Sequence, residues 1–148
     1  MADTIVSKSA TETEKIGGKL ARELSPGNVI ALTGDLGGGK TTFTKGLARG
    51  LGISEPITSP TFMLERVFAT ESQPEIKYLR HYDAYRLENG KELADIGFLD
   101  AVEGGDSVAV VEWADRVKEV LPASTIWVNF SFVDDNTRQL EINKPVRK

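Results

Sequence analysis

Apolar residues fall along this chain in three spacings, and each spacing predicts a kind of element. Ile16, Leu20 and Leu24 lie four apart with Ala21 beside them, so residues from about Ala10 to Leu24 read as a helix with one buried face. The turn residues Ser25-Pro26-Gly27-Asn28 break it. Val29-Ile30-Ala31-Leu32 and Val108-Ala109-Val110-Val111 are unbroken apolar runs, as expected of strands covered on both faces. A second helix starts at Lys40, with Phe43, Leu47 and Leu51 on one side. Thr125–Val133 alternates strictly, placing Ile126, Val128, Phe130 and Phe132 on one face. After the turn Asp134-Asp135-Asn136-Thr137, Arg138–Ile142 alternates again, so this part reads as an antiparallel hairpin. Met63–Phe68 and Ile76–Tyr82 are further strand candidates, separated by the polar stretch Ala69–Glu75. Leu93, Ile96 and Leu99 mark a short helix, and Ala114–Leu121 another that stops before Pro122. Glu55–Phe62, with two prolines and several hydroxyls, reads as an exposed loop.

Buried strands with intervening helices predict an α/β fold. The sheet should be mainly parallel at its centre, with helices on both faces and the antiparallel hairpin at an edge. No repeat, low-complexity tract or linker interrupts the 148 residues, which predicts a single domain over 1–148.

Composition narrows the function. The formal net charge of −4 disfavours tight direct binding of RNA or DNA, although a local basic patch is compatible with it. The absence of cysteine removes disulfides, thiolate catalysis and cysteine–metal sites, and fits a reducing, cytoplasmic setting. Apolar runs are too short to span a bilayer, and Met1–Thr13 has no apolar core of a secretory signal.

Candidate chemistry begins between the first apolar run and the second helix. Gly34-Asp35-Leu36-Gly37-Gly38-Gly39-Lys40-Thr41 fits the phosphate-loop pattern G-x-x-x-x-G-K-[ST] at every fixed position. Glycines let successive backbone N–H groups curl toward phosphate oxygens, where a Cβ would obstruct them. The helix that follows adds its N-terminal N–H groups and partial positive charge. Lys40 would bridge the β- and γ-phosphates, the Thr41 hydroxyl would ligate magnesium, and Thr42 would extend the hydroxyl run. ATP with magnesium is the implied ligand, and the sheet becomes P-loop NTPase-like.

Hydrolysis needs more than this loop. Glu112 directly follows the run Val108–Val111, and Asp83 follows the strand candidate Ile76–Tyr82, so each would stand at the carboxyl end of a strand, where such sheets bind ligands. Either acid alone could be a surface cap; beside a phosphate loop, the pair forms a candidate Walker-B arrangement. Thr58-Ser59-Pro60-Thr61 occupies the position of a nucleotide-sensing loop or of an ordinary proline-rich turn. His81 is the only histidine, a type more often structural than catalytic when alone, and Trp113 could shield the site or pack.

Together these segments resemble the bacterial TsaE (YjeE) family, small P-loop ATPases of tRNA threonylcarbamoyladenosine synthesis. The resemblance rests on Gly34–Phe43, Ser59-Pro60-Thr61-Phe62, His81-Tyr82-Asp83-Ala84-Tyr85-Arg86-Leu87, Leu93-Ala94-Asp95-Ile96-Gly97 and Val111-Glu112-Trp113, and covers nearly the whole chain. It implies Lys40 on the phosphates, Thr41 and Glu112 as magnesium ligands, and Asp83 acting on the metal-bound or attacking water. It also implies Thr61 as a nucleotide-responsive threonine and Thr13 near the base; read from the residues alone, Thr13 is a helix-start hydroxyl. The family usually has alanine where Gly38 stands. The implied activity is that of an accessory, partner-dependent weak ATPase, a monomer when isolated. It would reset a TsaD–TsaB pair and meet tRNA only indirectly.

Two other classes remain to be distinguished. A small-molecule kinase would need an arginine-bearing lid, and no arginine-rich insertion is present. An ATP-sensing binding module without significant turnover would differ mainly in partner dependence. A GTPase is disfavoured because Asn143-Lys144-Pro145-Val146 lacks the acid of an N-K-x-D motif.

Overall fold

Both unbroken apolar runs lie at the centre of one sheet. The structure, a computed structural model, describes residues 2–34, 39–57, 65–71 and 74–145. Its strands are β1 (Ala2–Ser7), β2 (Val29–Gly34), β3 (Glu65–Ala69), β4 (Tyr78–Asp83), β5 (Ser107–Glu112), β6 (Ile126–Phe132) and β7 (Arg138–Asn143). The helices are α1 (Ala10–Ala21), α2 (Lys40–Gly50), α3 (Gly90–Asp95) and α4 (Phe98–Glu103), with a 3-10 helix at Ala114–Val120. The strand order is β1-β7-β6-β2-β5-β4-β3. β6, β2, β5 and β4 run parallel, whereas β3, β7 and β1 pair antiparallel with their neighbours.

Alternation along the central strands feeds two cores. Ile30, Leu32, Val108 and Val110 face α1 and α2 and pack with Leu20, Phe43, Leu47 and Leu51. Val29, Ala31, Ala109 and Val111 face the other way, against Leu93, Phe98, Ala114 and Val117. Every residue of β5 is buried, which is why neither β2 nor β5 shows polar alternation in sequence. Among the described residues, no helix is long and apolar enough to cross a membrane.

Several predicted boundaries need correction. β1 was not expected, because its segment reads as polar and mixed in charge. Of its described apolar side chains only Ile5 packs against the core, with Val6 51% exposed, so the strand is held chiefly by its ladder to β7. The single short helix expected around Leu93, Ile96 and Leu99 is two helices, α3 and α4, parted by Gly97 in the left-handed region (φ 91°). Leu93 and Phe98 are the residues it buries, while Ile96 and Leu99 are exposed. The first two residues of the strand expected at Met63–Phe68 lie outside the described residues, as does most of the Glu55–Phe62 loop.

Glycines set how closely α1 and α2 approach. A Cβ on Gly46 would overlap the backbone of Glu14, and one on Gly17 would overlap the carbonyl of Phe43. α1 therefore braces the helix that carries Lys40 at its first position. The Arg49–Glu14 ion pair across the same seam (3.2 Å, with Arg49 77% exposed) is solvated and adds little. Gly46→Ala should destabilise the protein by about 1–3 kcal/mol through overpacking. Gly18→Ala, whose Cβ would stand an ordinary 3.4 Å from Gly46 O, should be neutral or slightly stabilising. Urea unfolding midpoints of the two variants check this contrast.

Candidate functional site

The carboxyl ends of three parallel strands are brought level by their registers. β2 pairs Leu32 with Glu112 of β5, and β4 pairs Asp83 with the same Glu112. Asp83 and Glu112 thus stand side by side, continuing the Leu79–His81 and Val108–Val110 series that faces α1 and α2. β2 ends at Gly34, whose φ of 126° favours glycine and whose Cβ would collide with the Phe130 carbonyl of β6. α2 opens after Gly39 (φ 99°), with no side-chain cap and no acidic residue in its first turn. An anion there would meet the positive end of the helix without competition from a carboxylate of that turn.

Lys40 lies at this junction and is 5% exposed. Its Nζ donates to Gly34 O at 2.7 Å and sits 4.0 Å from the centre of the Trp113 ring. The indole face supplies electron density to a cation held largely out of water. Trp113 is the only non-glycine with positive φ among the described residues (φ 59°, ψ 38°). A left-handed tryptophan costs about 1–2 kcal/mol, and the turn from β5 into the 3-10 helix bears that strain while setting the ring beside Lys40.

Glu112 is 3% exposed and His81 fully buried, with Glu112 Oε2 and His81 Nε2 at 2.6 Å. A carboxylate can only accept, so Nε2 donates, and His81 Nδ1 has no partner among the described residues. Asp83 Oδ1 accepts the Tyr85 N–H at 2.9 Å. Burial, the largest influence, pushes the Asp83 carboxyl above its ordinary value; the Tyr85 N–H opposes this and the neighbouring Glu112 charge adds to it.

Of the residues singled out in sequence, the structure gathers Gly39, Lys40, Asp83 and Glu112 at these strand ends, with Thr41 and Thr42 in the first turn of α2. Asp35, Leu36, Gly37, Gly38 and Thr61 lie outside the described residues. Thr13 does not cap α1: Ser9 does, accepting the Glu12 N–H at 3.1 Å. Thr13 is buried instead, its hydroxyl 2.7 Å from that of Ser7. Its methyl, Phe130 and the Arg138 stem all lie within 3.8 Å of where a Cβ on Gly39 would be. Phe130 and Arg138 as neighbours of Gly39 were not read from sequence. Phe130 reads as core and Arg138 as the start of a hairpin strand, and only the placement of β6 beside β2 brings them here.

Among the described residues, no group of three or more His, Asp or Glu side chains converges to hold a metal alone. Magnesium sheds water reluctantly and is typically bound by one or two protein oxygens plus substrate phosphates. The donor set of one hydroxyl (Thr41) and one buried carboxylate (Glu112), beside a lysine at a helix start, fits that requirement.

The raised Asp83 pKa has a stability consequence. Between about 3.8 and the folded value, the folded state binds more protons, so stability falls as pH rises through that window. Above it the full penalty remains. In the metal-free protein, Asp83→Asn should therefore raise the melting temperature at pH 7, with the gain fading below about pH 4. Thermal unfolding across pH, with chelator present, checks both the sign and the window.

The family model "Threonylcarbamoyl adenosine biosynthesis protein TsaE" matches residues 7–140. The tRNA threonylcarbamoyladenosine biosynthesis protein TsaE of Treponema pallidum is 41% identical over 137 residues, covering 93% of this chain and 97% of that protein. Its counterpart in Bacillus subtilis is 40% identical over 129 residues, covering 87% and 77%. A crystal structure of Bacillus subtilis YdiB superposes with a TM-score of 0.79 at 30% identity, covering 99% of this chain and 87% of that one. The match runs from the end of β1 into β7, through α2, β4 and β5, and the chain belongs to the TsaE family of threonylcarbamoyl adenosine biosynthesis.

Proposed function

We propose that this protein binds and hydrolyses ATP with magnesium, slowly by itself, and that the cycle resets a TsaD–TsaB transferase pair during tRNA threonylcarbamoyladenosine formation. One observation supports the ATPase reading: Glu112 is a buried carboxylate whose strand register pairs it with Leu32, two residues before Gly34, where a ligand for nucleotide-bound magnesium would be needed. The biosynthetic role is supported by the family to which the chain belongs.

The chain's own residues would divide the work. Lys40 would exchange Gly34 O and the Trp113 face for the phosphate oxygens, a charge-assisted contact stronger than either. Thr41 and Glu112 would hold the magnesium, which when bound neutralises charge on the phosphates. Asp83, next to Glu112 and oriented by the Tyr85 N–H, would order the attacking water directly or through the metal's hydration shell. Trp113 would limit water around Lys40.

Lys40→Ala should weaken nucleotide binding at least tenfold, since a hydrogen bond to a charged group contributes roughly 1.5–3 kcal/mol. Glu112→Ala should spare metal-free nucleotide binding and impair the magnesium-dependent step. Hydrolysis measured with purified partners tests the pair; unchanged rates in both variants would sink the site assignment. For the biological role, the wild-type chain should retain a TsaD–TsaB pair in a pull-down whose yield depends on whether ATP, ADP or no nucleotide is present. Phosphate transfer to a small metabolite would instead favour a kinase.

A further inference from the structure

We propose that His81 is a positioning residue for the metal-binding carboxylate: its Nε2–H holds Glu112 Oε2 and presents the other oxygen, Oε1, to the metal. This rests on the reading of Glu112 as a magnesium ligand. A glutamate has three side-chain torsions, and a buried one without a partner would either rotate away or take up a proton. His81 removes both options. It is fully buried in the interior of β4, two residues before Asp83, and reaches across to the end of β5 at 2.6 Å.

The alternative is that His81 only fills the core. Leu79, on the same face of β4 and equally buried, shows what that task requires, an apolar side chain. Histidine is a costly choice at such a position, because Nδ1 is left without a partner among the described residues. Among the described residues its polar ring makes one hydrogen bond, to Glu112. Oε1 accepts no hydrogen bond from the described residues, so it is the oxygen left to coordinate. Ligand-orienting partners of this kind typically change metal affinity by roughly 10–100-fold when removed.

The test is manganese-dependent binding of a fluorescent, non-hydrolysable ATP analogue, with free Mn2+ followed by electron paramagnetic resonance. His81→Leu should raise the Mn2+ midpoint about 10–100-fold while metal-free analogue affinity stays within about twofold. His81→Gln, whose amide can place a donor near the position of Nε2, should restore most of the loss. His81→Asn, polar but too short, serves as the donor-removed variant if the leucine protein does not fold, and should behave like it. A filler role predicts that Leu, Gln and Asn all lower the melting temperature and leave the midpoint unmoved, or weaken metal-free and metal-bound states equally; either result overturns the proposal. Glu112→Gln separates the two layers. If it shifts the midpoint and the His81 variants do not, the positioning role alone fails; if it does not shift the midpoint, the metal assignment of Glu112 fails and this inference with it.

Discussion

The parallel register of β2, β5 and β4 is the constraint on which the site depends. Pairing Leu32 and Asp83 each with Glu112 brings Gly34 and two carboxylates to one edge of the sheet. A slip of one residue would turn Glu112 toward the opposite core and bring Val111 into its place. The register is protected by burial on both faces, since Val108–Val111 and Val29–Leu32 would each trade apolar contacts for mismatched ones. Geometry for chemistry and stability of the core are therefore set by the same four-residue runs.

Those runs made the centre of the fold legible. Unbroken apolar segments identified β2 and β5, helical spacing identified α1 and α2, and strict alternation identified the β6–β7 hairpin. Legibility fell wherever tertiary contacts replaced local pattern. β1 is an edge strand in which Ile5 is the one apolar side chain among the described residues packed on the core, so its backbone ladder to β7 leaves almost no hydrophobic trace. The split between α3 and α4 depends on the backbone of Gly97, and the buried Phe98 lies off the face that spacing selected. In the candidate site, the placement of Lys40, Asp83 and Glu112 at element ends was legible because each sits at a fixed offset from a recognisable element. The partnership of His81 with Glu112, and the approach of Phe130 and Arg138 to Gly39, were not visible. They join residues far apart in sequence through strand order.

The site also concentrates features that a purely stabilising sequence would avoid. Lys40 is nearly excluded from water, Asp83 is made harder to ionise, Trp113 adopts a left-handed backbone, and His81 leaves a buried nitrogen without a partner among the described residues. Each is unfavourable alone, and all lie within a few residues of the carboxyl edge of β4 or β5 or at the head of α2. Such local costs cluster at functional sites, where the surrounding structure over-determines them. The tight glycine seam between α1 and α2 and the doubly buried sheet supply the rigidity against which these groups are held.

The most direct measurement is a crystal structure of the chain with a non-hydrolysable ATP analogue and Mn2+, the metal located by its anomalous signal. The account predicts the metal between the Thr41 hydroxyl, Glu112 and the phosphates, with Lys40 Nζ moved from Gly34 O and the Trp113 ring onto phosphate oxygens. Lys40 unmoved with nucleotide bound, or a metal placed away from Glu112, would contradict it.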